Sequence, residues 1–341
     1  MIVRSNMRKI FQELLLMSDY RVQKVKLESI DFDDSSYIFT FEPSNSLLAQ
    51  SIKKAGVINP PVLELLPDKK YRIITGIRRL TALKNLNLVQ VEAKVYSSKN
   101  SQPEFDFFLL NFYDNIGTRF FSTIEKANII HKLLNQFQIK KEKIITEYLP
   151  LLELGKNPEV IQRYLAISEM DKNLQMSINE DFISIDSAIG IQKMAAKDRT
   201  ALYDLFRLLR IGKNKQKEFV QLFADIKAIT GKSTNDILLD SDFQIIMKDN
   251  SLTAPVKTNR IKILLKKIRY PNYSKIEEKF ELIKKNLKLP PNALLRSSPF
   301  FESNKYSLEL IFKSEQEFTN LISLLNSEEN KLKIKDLENL V

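Results

Sequence analysis

Apolar residues recur two apart in some stretches of the chain and three to four apart in others, and the change of spacing divides it. Val22 to Ile30, Tyr71 to Thr75 and Val89 to Val95 predict short strands. The helical spacing of Leu47 to Ala55, stopped by Gly56, and of the helix running on to Leu88 alternates with them. From Glu104 to about Leu239 the pattern is almost wholly helical, in Ile124 to Phe137, Lys143 to Leu154 and Ala201 to Leu209 among others. A polar stretch, Asp240 to Ala254, precedes an apolar stripe of Ile261, Ile263, Leu264, Leu265 and Ile268. Beyond it Ser307 to Phe312 alternates as a strand, and Ser314 with Glu317 predicts a capping box for a helix over Glu315 to Leu325, with Phe300 and Phe301 upstream. At the start, Ile10, Phe11, Leu14, Leu15 and Leu16 among Arg4, Arg8, Lys9 and Glu13 predict a small amphipathic helix within Met1 to Tyr20, packed on a neighbour. The expected class is α+β in three parts: a small mixed α/β domain over 1–103, an all-helical domain over 104–239, and a basic linker with a small α+β region over 240–341.

Three segments carry candidate chemistry. Tyr71 to Ala82 reads as a strand, a turn at Gly76, and Arg78 and Arg79 opening a helix. Glycine allows the backbone to approach a ligand, the amides of a helix start favour an anion, and guanidinium groups grip phosphate oxygens in pairs. Asp114-Asn115-Ile116-Gly117-Thr118-Arg119, followed by Ser122, Ile124, Glu125 and Ala127, combines an acid and an amide; its plain alternative is a turn that caps the next helix. Lys143 to Leu154, the turn Gly155-Lys156-Asn157, and a helix begun by Pro158 predict a helix-turn-helix. Val160, Ile161, Tyr164 and Leu165 form its buried face, leaving Lys156, Asn157, Glu159, Gln162 and Arg163 outward for base edges and phosphates.

Composition narrows the classes. A formal charge of +11 over 341 residues and a pI near 9.4 favour a polyanionic partner. With no cysteine there is no disulfide, thiolate metal site or catalytic thiol. No stretch reaches the roughly 18 continuous apolar residues of a membrane span, and the start lacks a signal-peptide core, so a soluble cytoplasmic protein is expected. His131, the sole histidine, sits on an amphipathic helix and is expected to pack half-buried. Lys213 to Lys217 is basic. Between Ser251 and Lys275 seven cations (Lys257, Arg260, Lys262, Lys266, Lys267, Arg269 and Lys275) occur with no acid among them, which favours a nucleic-acid face there over a merely solvated one.

The order of helix, Gly56-Val57-Ile58-Asn59-Pro60, strand, Gly76-Ile77-Arg78-Arg79, helix and strand resembles the N-terminal domain of the ParB partition-protein family, the ParB/sulfiredoxin fold. The segment at Asp114 resembles that family's Glu-Asn-Leu-x-Arg motif, the helix pair resembles its helix-turn-helix, and Asp181 to Ala188 resembles the turn and capped helix that follow. Four of the seven glycines, Gly56, Gly76, Gly117 and Gly155, lie in these motifs, and the resemblance covers roughly residues 20 to 200. It implies a CTP-dependent DNA clamp acting in chromosome, plasmid or phage partition. Gly76, Arg78, Arg79 and Asn115 would bind the nucleotide, Asp114 and Asn115 would hold Mg2+, and Asp114 would be the catalytic residue of any CTPase activity. Lys156, Asn157, Gln162 and Arg163 would meet double-stranded DNA. The resemblance further implies a homodimer, nucleoid- or plasmid-associated, with a partition ATPase as a protein partner and no membrane. The chain departs from the family in having Ile77 within Gly-x-Arg-Arg, Thr118 at the motif's arginine, Asp114 for glutamate, and Ser36-Tyr37-Ile38-Phe39 where Gln-Pro-Arg is expected. The absent cysteine removes sulfiredoxin chemistry. A nucleotide-independent transcriptional regulator, and a nuclease or other phosphoryl-transfer enzyme on the same fold, stay open as alternatives.

Overall fold

The structure, a computed structural model, describes residues 20–97, 104–287, 289–303 and 305–340. The amphipathic helix expected before Tyr20 lies outside the described residues. The chain divides into two compact units, Met1–Ile185 and Asp186–Val341.

The first unit is built on a five-stranded mixed sheet. Strands β1 (Tyr20–Lys26), β2 (Ile30–Asp31), β3 (Val62–Leu65), β4 (Tyr71–Thr75) and β5 (Gln90–Ser97) lie in the order β1-β5-β3-β4-β2. β1 pairs with β5 and β3 with β4 antiparallel, while β3/β5 and β2/β4 are parallel. The single strand expected over Val22 to Ile30 is thus two. A 3-10 turn at Leu27–Ser29 buries Leu27, and the chain then crosses to the opposite edge of the sheet. Helices α1 (Ser46–Ala55) and α2 (Ile77–Asn85) pack on each other. Asn45 caps α1 by accepting from Leu48 N at 3.0 Å, and Gly56, at φ 72°, ends it in a backbone region that L side chains rarely adopt. Leu63, Ile73, Leu80, Ala93 and their neighbours fill the core beneath these helices, as the alternation along the strands requires.

A second, aromatic core joins this layer to α3 (Glu104–Ile116) and α4 (Thr123–His131). Tyr37 and Phe39 are both fully buried, Phe39 against Phe121 with ring centroids 5.3 Å apart and Tyr37 against Phe107 at 5.6 Å. Each such side chain contributes roughly 1.5–3 kcal/mol by leaving water. The segment carrying them is tied down by side chains from the helices: Asn111 donates to the Tyr37 carbonyl at 2.8 Å, and Asn128 to that of Phe39 at 3.1 Å. After a π-helical stretch at Lys132–Gln136, α5 spans 141–151, and α6 (Pro158–Ser168) and α7 (Lys172–Asn179) follow. α4 packs against α6 and α7. His131 is half-buried on α4, as its helical setting suggests.

The second unit is helical from α8 (Ile185–Gln192) through α9 (Ala196–Leu209), α10 (Lys213–Thr230), α11 (Thr234–Leu239), α12 (Ser241–Lys248), α13 (Ala254–Arg269) and α14 (Pro271–Asn286). It ends in a two-stranded antiparallel ribbon, β6 (Ala293–Ser297) with β7 (Tyr306–Leu310), and helices α15 (Glu315–Leu325) and α16 (Glu328–Lys335). Phe280, Leu287, Leu295, Phe301 and Leu337 are the core of this last part, the small α+β region expected from the sequence. Ser314 caps α15 as expected by accepting from Glu317 N at 3.2 Å. The Glu317 carboxylate answers Lys313 N at 2.8 Å and Asn292 at 2.9 Å rather than Ser314. Among the described residues no helix is long and apolar enough to cross a membrane.

Candidate functional site

The site forms where β4 ends and α2 begins. Thr75 closes the strand, and Gly76 takes a left-handed backbone, φ 97°, to start the helix. A Cβ there would stand 2.9 Å from Pro61 Cβ, so both the dihedral and the packing require glycine. The turn sends Arg78 and Arg79 two ways. Arg79 folds back onto the Asn59–Pro60–Pro61 turn, donating to the Asn59 carbonyl at 2.5 Å, and its Nη2 lies 3.6 Å from Asp114 Oδ2. Thr75 Oγ1 donates to the same Asp114 oxygen at 2.7 Å. Arg78 reaches Glu125 through a long 3.3 Å contact, and its Nε is buried with no hydrogen-bond partner among the described residues.

Glu125 belongs to α4 and is 1% exposed. It completes a capping box: its backbone N–H donates to Ser122 Oγ, and its Oε2 accepts from Ser122 N at 3.0 Å. That same Oε2 accepts from Arg119 at 2.7 Å. Arg119 also donates from Nε to Asn115 Oδ1 at 2.7 Å and from Nη2 to Thr40 at 3.4 Å, and its guanidinium lies 5.1 Å from the Phe121 ring centre. Asn115 in turn donates to the carbonyl and side-chain oxygens of Asn111 one turn earlier on α3.

The electrostatics follow from this list. Arg78, Arg79 and Arg119 bring three guanidinium groups to a place where Asp114 and Glu125 bring two carboxylates. Burial lowers the Arg78 pKa below the ordinary arginine value, and the like charge of Arg119 lowers it further. Burial does the same to Arg79, against the pull of Asp114. A desolvated excess cation with an unpartnered buried N–H is a place where an anion is favoured.

The structure therefore gathers Gly76, Arg78, Arg79, Asp114 and Asn115 into one site. Sequence reasoning did not assign Thr75, Arg119 or Glu125 to it. Thr75 carried no signal, whereas Ser122-x-x-Glu125 is a readable capping box whose acid had a second use. Arg119, one place after the motif position, makes the Asn115 contact itself. For a metal ion the fit is uneven. Asp114 is half-exposed and one carboxylate suffices beside phosphate oxygens, but Asn115 Oδ1 is already held by Arg119. Among the described residues no group of three or more acids or histidines gathers to hold a metal.

Lys156, Asn157, Gln162 and Arg163 are all exposed around the start of α6. α5 ends at Leu151, earlier than the expected Leu154, because Glu153 takes a left-handed backbone and the Leu154 N–H returns to the Leu149 carbonyl. The turn is 152–157, and Glu153 rather than Gly155 reverses the chain. Pro158 is the first residue of α6, and Asn157 caps it by accepting from Glu159 N at 2.9 Å, which engages its side-chain oxygen. Ile161, Tyr164 and Ile167 are the fully buried stripe, with Val160 and Leu165 half-buried beside them. The basic run of α13 differs from expectation. Its missing acids come from neighbouring helices, Lys262 pairing with Glu218 at 2.8 Å, Arg269 with Asp225 at 3.1 Å and Lys267 with Glu278. Three of the seven cations are thus paired within the fold, which weakens the argument from missing acids.

The first unit is thus a mixed five-stranded α/β domain with an arginine-lined turn, continued by stacked helices. Residues 13–105 match the ParB N-terminal domain family, and it is to this part of ParB proteins that the first unit is similar. It is 25% identical to the probable chromosome-partitioning protein ParB of Borreliella burgdorferi over 162 residues, 48% of this chain, and spans 57% of that relative's length. Among solved structures it is similar to C-terminally truncated ParB of Caulobacter crescentus complexed to the centromeric parS site, with 13% identity, 58% of this chain and 98% of that one covered, and a TM-score of 0.33. It is also similar to the same protein complexed with CTP-gamma-S, with 18% identity, 51% and 93% covered, and a TM-score of 0.23.

Proposed function

We propose that the chain is a DNA-binding partition protein whose N-terminal domain binds a nucleoside triphosphate, CTP, and acts with a second copy as a clamp on duplex DNA. The observation that carries this is the self-assembled but undercompensated site: three guanidinium groups, two carboxylates and an orphaned Arg78 Nε around the Gly76 turn. A triphosphate supplies the missing negative charge. Arg78, held only by a long contact, turns to phosphate oxygens, and the amides at the start of α2 add donors. Arg79 is committed to Asn59 and shapes the turn while contributing its charge. Asp114 would hold the magnesium ion that accompanies the triphosphate, and that ion would neutralise phosphate charge. The choice of CTP rests on the ParB resemblance. The DNA reading rests on the exposed polar start of α6, where Lys156, Gln162 and Arg163 face solvent, and on the chain's net charge of +11.

The test is thermal unfolding of the full chain with each of the four ribonucleoside triphosphates and Mg2+, with and without duplex DNA. A ligand that binds the native state raises the midpoint, by an amount that grows with the logarithm of its concentration over its dissociation constant. Stabilisation by CTP above the other three supports the reading. Midpoints with all four that equal the midpoint without nucleotide, with DNA present, reject the nucleotide site and leave a nucleotide-independent DNA-binding regulator, whereas an equal rise with all four rejects the choice of CTP.

A further inference from the structure

We infer that Glu125 couples the phosphate site to the DNA-facing helix: one buried carboxylate bridges Arg78 and Arg119 on one side and starts α4, the helix that packs on α6, on the other. This rests on the nucleotide and DNA reading above and adds the residue through which the two sites sense each other.

The geometry is specific. Arg78 comes from α2, Arg119 from the loop after α3, and Glu125 from the first turn of α4; the carboxylate is where the three elements meet. Its two oxygens are unequal. Oε2 is committed to Arg119 at 2.7 Å and to Ser122 N at 3.0 Å, whereas among the described residues Oε1 has only the 3.3 Å contact to Arg78. An anion that draws Arg78 away therefore removes the weaker bond and leaves Glu125 fixed to Arg119 and to the helix start. A phosphate close to both arginines brings like charge towards a carboxylate that cannot leave without uncapping α4. The carboxylate is buried, so this repulsion is weakly screened, and relief comes by shifting the first turn of α4. That turn belongs to the same nine-residue helix whose body packs against α6. Any ligand that holds α6 in one position feeds back on Glu125, because coupling between sites is reciprocal.

The experiment measures CTPγS affinity by calorimetry, in Mg2+ and low salt, with and without sonicated double-stranded DNA, for the wild-type chain and for Glu125→Gln. Glutamine keeps the size and the acceptor for Ser122 N but loses the charge that binds both arginines. The readout is the ratio of the two dissociation constants, which is independent of any change in affinity alone. We expect a ratio of about fivefold or more in the wild type. In Glu125→Gln it falls to within about twofold of unity, a range that reads as no coupling. An unchanged ratio in the variant overturns the inference while leaving the nucleotide site standing. Absence of CTPγS binding in the wild type overturns the site itself, a separate outcome. Amide exchange on the wild type needs no variant: CTPγS should alter exchange in Thr123–His131 and in Pro158–Ser168, and exchange altered only around Gly76 overturns the coupling.

Discussion

Arg119 Nε donates to Asn115 Oδ1 at 2.7 Å, so the amide oxygen that the family resemblance assigns to a metal ion is occupied by a guanidinium. Asp114, with its carboxylate shared between Thr75 and Arg79, is left as the acid for a cation. The two residues should therefore separate. Asp114→Asn should abolish the magnesium dependence of nucleotide affinity, because an amide keeps the size but loses the charge that a divalent ion requires. Asn115→Ala should weaken affinity through a loosened Arg119 while the magnesium dependence persists. Calorimetric titrations at several Mg2+ concentrations distinguish these, and a magnesium-independent Asn115→Ala would return the metal to the asparagine.

Arg78 is the least satisfied of the three arginines, with one long ion pair and an unpartnered Nε. Its replacement by alanine should cost little in the folded protein and much in ligand binding. The expected loss is about 1.5–3 kcal/mol of nucleotide affinity, the size of a charge-assisted hydrogen bond. Arg119→Ala should do the opposite, destabilising the fold by leaving Glu125 buried with its main partner gone. Chemical denaturation beside nucleotide titration for both variants tests the division.

Gly76→Ala places a side chain at φ 97° and a Cβ 2.9 Å from that of Pro61. The strain should lower stability by roughly 1–3 kcal/mol and displace Arg78 and Arg79 together. Urea unfolding should show the loss. A variant as stable as the wild type would mean that the turn relaxes at no cost.

Much of the first unit was legible because its signals are local. Gly56, Gly76 and Pro158 mark chain reversals and helix starts that only those residues favour, and the alternation of Val91 and Ala93 with Gln90, Glu92 and Lys94 fixes which side of the sheet is core. What stayed hidden depends on tertiary contacts. Nothing near Leu27 announces that the first strand breaks there, since the reason is a core pocket made by distant strands. Glu125 reads as a helix cap and nothing more until Arg78, 47 residues earlier, is brought beside it. The α13 cations looked unbalanced because their acids lie on α10 and α14, out of register with any window along the chain.

The segment around Asp34 to Phe39 should give the protein an acid-sensitive joint. Asp34 and Glu64 both face Arg72, with Glu104 nearer solvent and Lys132 holding the carbonyls of Ser35 and Ser36. Burial alone would raise the Asp34 pKa, but hydrogen bonds from Ser36 and the bond and charge of Arg72 hold it below the ordinary carboxylate value. Burial raises that of Glu64 despite the Tyr37 hydroxyl and Arg72. A depressed folded pKa contributes stability above the unfolded value that is lost as pH falls through the folded one. Asp34→Asn should therefore destabilise the chain at neutral pH, and the gap to the wild type should close as the pH drops below the carboxylate range. Glu64 works with the opposite sign in both proteins, less so in the variant, where the like charge of Asp34 no longer raises its pKa. Urea unfolding of both proteins across acidic pH measures the difference, and a pH-independent gap would reduce the Asp34 contact to packing.

Arg163 stands exposed on α6 one residue after Gln162, and the helix is anchored beneath them by Ile161 and Tyr164 against α4. Two kinds of contact with duplex DNA can be told apart there. If the guanidinium meets a base edge, Arg163→Ala should cost ~1–3 kcal/mol on a selected site and relax the preference for that site over random duplexes. If it meets a phosphate, the variant should weaken every duplex alike and reduce the slope of log affinity against log salt by about one unit. Lys156, at the turn before the helix, should behave in the second way, since an ammonium so placed reads charge rather than sequence. Titrations on selected and random duplexes at several salt concentrations decide each case. Should Gln162→Ala and Arg163→Ala together leave affinity, preference and salt slope unchanged in a folded protein, the reading surface lies elsewhere. On α13 the ion pairs of Lys262, Lys267 and Arg269 leave Lys257, Arg260 and Lys266 as the residues to replace next.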